Sequence, residues 1–261
     1  MARAWCLIRE QPHYRREAFV AGLCAAGYAV ASGNPNAIAA EDVVVIWNRY
    51  GSAEVVAQRA EAAGARVIVA ENGYLGSDAA GRQFYALALG AHNGGGKWPA
   101  DDGARWRALG IELAPWQEAG GHVLVCPNRP FGQRGFEMPQ DWAERAVQRL
   151  RTRTTREVRL RAHPGNWQTE PPKVPLAADL EGAHAMVIWA SSAGVHALLA
   201  GVPVIYEAPW WILARSAGRD WREVDAPPRL DRLKGFQRLA CAQWTVEEIA
   251  SGEPFRQLLA L

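Results

Sequence analysis

The stretch Val187-Ile188-Trp189-Ala190-Ser191-Ser192-Ala193-Gly194, followed by VHALLAGVPVIYEAP up to Pro209, decides the fold. An apolar run ends in small residues, a helix over Ser192–Ala200 begins at once, and a strand over Val202–Tyr206 follows. Strand, helix and strand in that order make a βαβ unit of a parallel sheet. Such a unit turns Ser191, Ser192 and the first N–H groups of the helix toward the carboxyl edge of the sheet. A helix start carries roughly half a positive charge, the hydroxyls donate, and Gly194 is expected to let a phosphate approach the backbone. The plainer alternative is a serine N-cap with a close helix–strand contact at Gly194.

Upstream the same alternation continues: a strand at Val123–Cys126, a helix at Pro139–Leu150, a strand at Glu157–Arg161, a short helix at Ala177–Glu181 and a strand at Ala185–Trp189. This is one doubly wound unit. Its third strand ends in Arg161-Ala162-His163-Pro164-Gly165, where Pro164 forces His163 into an extended or turn conformation. The imidazole then leaves the strand at the same edge as the serines, placed to donate to a phosphate; a structural histidine is the alternative. Downstream, helices at Arg229–Gln243, Val246–Ile249 and Phe255–Leu259 either cover this sheet or cross back to the first half. The run Arg149, Arg151, Arg153, Arg156, Arg159 and Arg161 brackets a helix end, where cations are favoured and solvated, so it reads as a helix terminus before it reads as a polyanion groove.

The first half repeats the pattern, with strands at Trp5–Ile8, Tyr28–Ala31, Val43–Trp47 and Arg66–Ala70 and helices at Arg15–Ala26 and Ala53–Ala63. Right-handed crossovers make every strand parallel in this reading. Strand Val67–Ala70 runs into Glu71-Asn72-Gly73-Tyr74-Leu75-Gly76-Ser77-Asp78, so Glu71 and Asn72 are expected outside a strand's carboxyl end, where open sheets bind ligands. Glu71 is a candidate general base, Asp78 a candidate cap of a following helix, and His92-Asn93 a second base and acceptor pair. No G-x-G-x-x-G follows the first strand; LIREQPHY stands there, which excludes the usual dinucleotide fingerprint. From Gly94 to Gly121 the chain is rich in Gly, Pro and Trp, and Gly94–Gly96 reads as a mobile loop or a plain connection. The domain boundary is expected at Glu118–Gly121, giving residues 1–119 and 120–261.

Composition sets the outer limits. The chain has 261 residues, 49% of them hydrophobic and 21% charged, enough for two compact α/β domains. A net charge of +2 gives little long-range attraction to a polyanion. The four cysteines (Cys6, Cys24, Cys126, Cys241) are far apart and read as reduced thiols of a cytoplasmic protein, and no metal site is expected. No apolar run is long enough for a membrane span. Of the twelve tryptophans, those in loops, Trp47, Trp98, Trp116, Trp167, Trp210, Trp211 and Trp221, read as core edges, with a minority available to stack on sugars or bases.

Together, ENGYLGS, RAHPG and ASSAGVHALLAGVPVI resemble the capsule-polysaccharide glycosyltransferases, the group that includes the bacterial Kdo transferases of capsule linkers. The resemblance extends over residues 67–206. It implies two Rossmann-like domains facing a cleft (the GT-B architecture), with the acceptor in the N-terminal domain and a nucleotide-sugar donor, a substrate and not a cofactor, in the C-terminal one. Carried over by position, the family's histidine falls on His163, its serines on Ser191 and Ser192, and its acidic turn on Glu71 and Asn72. Arg161, Gly194, His196 and Glu207 join the donor side, and Asn72, Tyr74, Asp78 and Asn93 the acceptor side. Asn72 replaces the family's aspartate and His196 its glutamate, leaving Glu71, His92 and Asp78 as candidate bases. The implied acceptor is a hydroxyl of a surface glycan; a hydroxymethylated pyrimidine of phage DNA is the second candidate. The rival readings are a nucleotide-sugar epimerase, which needs no acceptor, and a non-catalytic GT-B-like module that binds a nucleotide or glycan, which Asn72 favours.

Overall fold

The computed structural model describes residues 2–261 except Ser32, Asn34, Asn36, Ala79, Pro130, Phe131 and residues 166–169. Trp167 therefore lies outside the described residues. The chain divides into two units, one of residues 1–110 and 237–261 and one of residues 111–236. Glu118–Gly121 lie inside the second unit, and the last helices belong to the first.

The first unit opens with β1 (Arg3–Cys6), α1 (Arg16–Ala25), β2 (Ala29–Ala31), β3 (Val43–Trp47), α2 (Ser52–Ala62), β4 (Arg66–Ser77), β5 (Gln83–Leu89) and α3 (Ala104–Leu109). Strand β3, written VVVIW, is buried from Val43 to Ile46, as a central parallel strand covered on both faces must be. Asp42 precedes it and is itself buried, where its carboxylate accepts from the Arg3 guanidinium (3.1 Å), the Trp5 indole N–H (3.2 Å) and the Ala39 N–H (3.1 Å). Those bonds outweigh the burial that would raise it and hold Asp42 below the usual carboxylate range.

The second unit contains β6 (His122–Cys126), α4 (Trp142–Arg151), β7 (Glu157–Leu160), α5 (Leu176–Leu180), β8 (Ala183–Ile188), α6 (Ala193–Leu199) and β9 (Val204–Tyr206). All its pairings are parallel, in the order β7-β6-β8-β9. Val123, Val125, Val187 and Ile205 from the strands pack with Trp142, Ala146 and Leu150 of α4 into one core. Helix α7 (Leu233–Ala240) then leads into β10 (Gln243–Trp244), α8 (Val246–Ser251) and α9 (Glu253–Leu259) of the first unit.

The first sheet runs β10-β5-β4-β3-β1-β2 and is mixed. Strands β1 to β4 are parallel, but β5 pairs antiparallel with β4, and β10 antiparallel with β5. This corrects the expectation that every strand is parallel. The physical reason is the hairpin β4–β5, which needs no crossover helix.

In both sheets the strand that starts the unit lies between its second and third strands. The order reverses at β1/β3 in one unit and at β6/β8 in the other, and at such switch points a crevice opens outside the carboxyl ends of the strands.

Candidate functional site

In the first unit the sequence motif is not a turn. Glu71 and Asn72 pair with Ala86 and Tyr85 inside the β4–β5 ladder, and the register shifts between Asn72 and Ser77. Glycine at 73 allows this, because a Cβ there would lie 2.5 Å from the backbone oxygen of Phe84. Asp78 caps no helix; it closes the hairpin, accepting from the N–H groups of Ala80 and Arg82 (both 2.9 Å) and from the Arg82 guanidinium. The expected strand end at Ala70 and the helix cap at Asp78 are both corrected by the hairpin.

Glu71 is held by two donors on one oxygen. The Tyr74 hydroxyl and the Asn93 N–H (2.8 Å) both reach its Oε1. Burial pushes the carboxyl up to about 7, against the pull of these two bonds. Tyr74 is itself buried, and its hydroxyl is raised further by the same burial and by Glu71. Asn93 reaches the carboxylate from a left-handed backbone (φ 54°), the conformation asparagine tolerates best after glycine.

His92, the other candidate base, is buried, and its Nδ1 accepts the Arg49 N–H (3.3 Å). Burial first, and Arg49 second, lower its pKa to about 4, so the ring is neutral. Arg49 is buried too, and its guanidinium binds Glu54, Glu61 and the Gly90 carbonyl, which ties the β3–α2 loop to the segment carrying His92 and Asn93. Of the three glycines after Asn93, Gly95 donates its N–H to the His92 carbonyl (3.0 Å), and Gly96 is packed, where a Cβ would lie 2.4 Å from the Ala91 oxygen. They form a tight turn and not an open loop.

Sequence reasoning missed the residues at the β1/β3 switch point. His13 Nε2 lies 3.0 Å from Asn72 Oδ1, and Tyr14 meets Trp47 edge-on at 4.8 Å. A cavity of about 710 Å³ opens there, walled by Tyr14, Trp47, Tyr50 and Ser52 with Arg9 and Arg59 among its lining residues. The signal was Pro12-His13-Tyr14 directly after the first strand, a position the switch-point rule marks.

In the second unit the expected serines stand at the β6/β8 switch point. Ser191 is buried and its hydroxyl accepts the Ala193 N–H (3.3 Å); Ser192 is exposed at the N-cap of α6 without a side-chain capping bond. Gly194 faces the protein's own side chains. A Cβ there would lie 2.7 Å from Ile188 Cδ1 and 2.8 Å from Trp211 Cζ2, so the glycine serves the packing of α6 on β8. Asn128, which the sequence did not mark, joins the two loops of the switch point by accepting the Ala190 N–H (2.9 Å).

His163 is half-buried, and its Nδ1 accepts the Gly165 N–H (2.9 Å). Burial, then Arg129, lower its pKa. A neutral imidazole that accepts at Nδ1 carries its proton on Nε2, which makes it a donor.

Arg161 is spent on Asp179 and the Val174 carbonyl, and Glu207 on Arg149 and the Trp142 indole N–H (2.7 Å). Both side chains tie elements together within the unit. His196 is half-buried in α6 with its pKa lowered by burial. Three more arginines of the run have partners: Arg153 the Arg222 carbonyl, Arg156 Asp225 and Arg159 Glu157. Among the described residues no group of three or more His, Cys, Asp and Glu side chains is arranged for a metal ion, and no helix is long and apolar enough to cross a membrane.

No protein-family model matches the chain, and no curated protein matches its sequence. Solved structures share its fold, among them two from one protein. One is the beta Kdo 2,7 transferase of Thermosulfurimonas dismutans KpsC, with a TM-score of 0.54 and 9% identity over 97% of this chain and 98% of that one. The other is the beta Kdo 2,4 transferase of the same protein, with a TM-score of 0.59 and 14% identity over 92% of this chain and 89% of that one. In fold the chain is thus similar to Kdo transferases, as its ENGYLGS, RAHPG and SSAG motifs anticipate.

Proposed function

We propose that the chain is a glycosyltransferase that moves a sugar from a nucleotide-sugar to an acceptor hydroxyl, with Glu71 as general base. The observation that carries this reading is the state of Glu71: a shielded carboxyl held on one oxygen by Tyr74 and Asn93 and raised to about 7. A base is most effective when its pKa lies near the working pH. His92 is enclosed and tied to Arg49, and Asp78 is committed to its hairpin, so neither competes for the role.

In this reading Glu71 takes the proton from the acceptor hydroxyl as its oxygen bonds to the sugar's anomeric carbon. The bond from that carbon to the donor phosphate breaks, and the electron pair leaves with the phosphate. His163, protonated on Nε2, and the Ser191–Ser192 segment receive the developing phosphate charge in the second unit. The acceptor seat is the cavity lined by Tyr14, Trp47 and Tyr50, whose rings and arginines suit a saccharide. The ion pairs of Arg149, Arg156, Arg159 and Arg161 favour a glycan over DNA, because phosphate tracking needs cations free to displace counterions.

A non-catalytic binding module is the second reading, favoured by Asn72 in place of an acid. The test is mass spectrometry of acceptors after incubation with a panel of nucleotide-sugars, with oligosaccharides and hydroxymethylated DNA in parallel. Mass gain on an oligosaccharide supports the proposal. Nucleotide binding with no mass gain on any acceptor supports the module.

A further inference from the structure

We infer that Gln243 is a positioning residue for Glu71: its side-chain oxygen holds the irregular part of β4 in the place from which the Tyr74 hydroxyl reaches the Glu71 carboxyl. The inference rests on the reading of Glu71 as the base. Gln243 is fully buried, and its Oε1 accepts the Tyr74 N–H at 2.8 Å and, more weakly, the Leu75 N–H at 3.5 Å. Both residues fall where the β4–β5 register shifts, between Asn72 and Ser77. A ladder interrupted in this way leaves backbone groups that need other partners, and buried ones must find them. Here the partner comes from a segment 169 positions away.

Gln243 is fixed from its own side as well. Strand β10 pairs Gln243 with Ala86 and Trp244 with Tyr85. Arg105 donates to the Gln243 carbonyl and to the Ala240 carbonyl (3.0 Å), and its guanidinium pairs with Glu248 (2.8 Å). Meanwhile the Gln243 side-chain nitrogen is buried with no partner among the described residues. An unpaired buried donor is costly, so an apolar residue would suit the site better if only volume mattered. The glutamine is needed for its oxygen.

The groups facing the Glu71 carboxyl are the Tyr74 hydroxyl from β4 and the Asn93 N–H from the segment beyond β5; on β5 the opposite residue is the uncharged Ala86. Arg49 is committed to Glu54 and Glu61, and His13 to Asn72. Loosening Tyr74 therefore removes one of two bonds that favour the ionised carboxylate.

The experiment is a carbon-13 carboxyl titration of the full chain, with the Glu71 signal assigned by its absence in Glu71→Gln, alongside the acid limb of kcat/KM. Gln243→Met keeps the volume and removes the acceptor. It should move the Glu71 titration upward by about one pH unit, the equivalent of one hydrogen bond to a charged group. Tyr74→Phe should give a similar shift, and the double variant no further shift. Gln243→Glu, which keeps an acceptor oxygen, should stay nearer to wild type. If Gln243→Met does not fold, Gln243→Asn, whose amide is one methylene short, takes its place. An unmoved Glu71 titration in the folded variant, with Tyr74→Phe shifted, overturns the inference. A shifted carboxyl with an unmoved activity limb supports the inference and overturns the base role of Glu71 instead.

Discussion

Glu71→Gln separates the chemistry of the site from its architecture. Both donors to Glu71 end on Oε1, so a glutamine can accept them with its own Oε1 and keep the same shape. What changes is the proton. The wild-type carboxyl has its ordinary value of 4.5 in the unfolded chain and about 7 in the folded one. Between those pH values the native state binds more protons than the unfolded state, so stability falls as pH rises. The contribution is intact below about 4.5 and fully lost above about 7. At 1.36 kcal/mol per unit, the loss is on the order of 3 kcal/mol. Glu71→Gln removes that slope. Urea unfolding of both proteins at pH 5 and pH 8 should show the variant gaining about 2–3 kcal/mol on wild type between the two. Its turnover should fall by roughly 10²–10⁴-fold with donor affinity retained. A stability difference that is the same at both pH values would refute the shielded carboxyl, and full turnover would refute the base.

The second unit yields sharper tests than the sequence could set. His163→Ala should lower turnover strongly and move Tm by only a few degrees, since a half-buried residue beyond a strand end supports little packing; calorimetry showing a large loss would make it structural. Gly194→Ala in a helix would ordinarily gain about 0.5–1 kcal/mol, but here the added methyl meets Ile188 and Trp211, and a net loss of about 1–3 kcal/mol is expected in denaturant melts. A gain would return Gly194 to the ligand side. Asp42→Ala strands the Trp5 indole and the Ala39 N–H in the first core, and should lower unfolding free energy by about 2–4 kcal/mol without changing KM.

Much of the architecture was legible because buried parallel strands are written as unbroken apolar runs. VVVIW and the segment around Val187 could be nothing else, and the strand–helix–strand order followed. The reading failed where one residue type has two uses. Asn72 and Gly73 look like a turn, but β5 pairs through them, and the glycine is there for the close approach of Phe84. QFYALAL is an apolar aromatic run of strand type, but Asp78 before it reads as the cap of a helix, which hides the strand. Gly194 looks like a phosphate contact, yet only the position of Trp211, distant in sequence, shows that it is a packing glycine. The same holds for Glu71: the sequence reads it as lying beyond a strand end, but it pairs inside the β4–β5 ladder, and its two donors come from the irregular stretch of β4 and a left-handed asparagine. Gln243 has no local pattern at all, because a two-residue strand carries no periodicity.

Acceptor-dependent sugar transfer is checked by nucleotide release measured with and without an oligosaccharide acceptor. Wild-type protein should release nucleotide from one nucleotide-sugar in step with acceptor mass gain, and Glu71→Gln should lose both together. Release that is equally fast without acceptor, or unchanged in Glu71→Gln, would contradict such transfer.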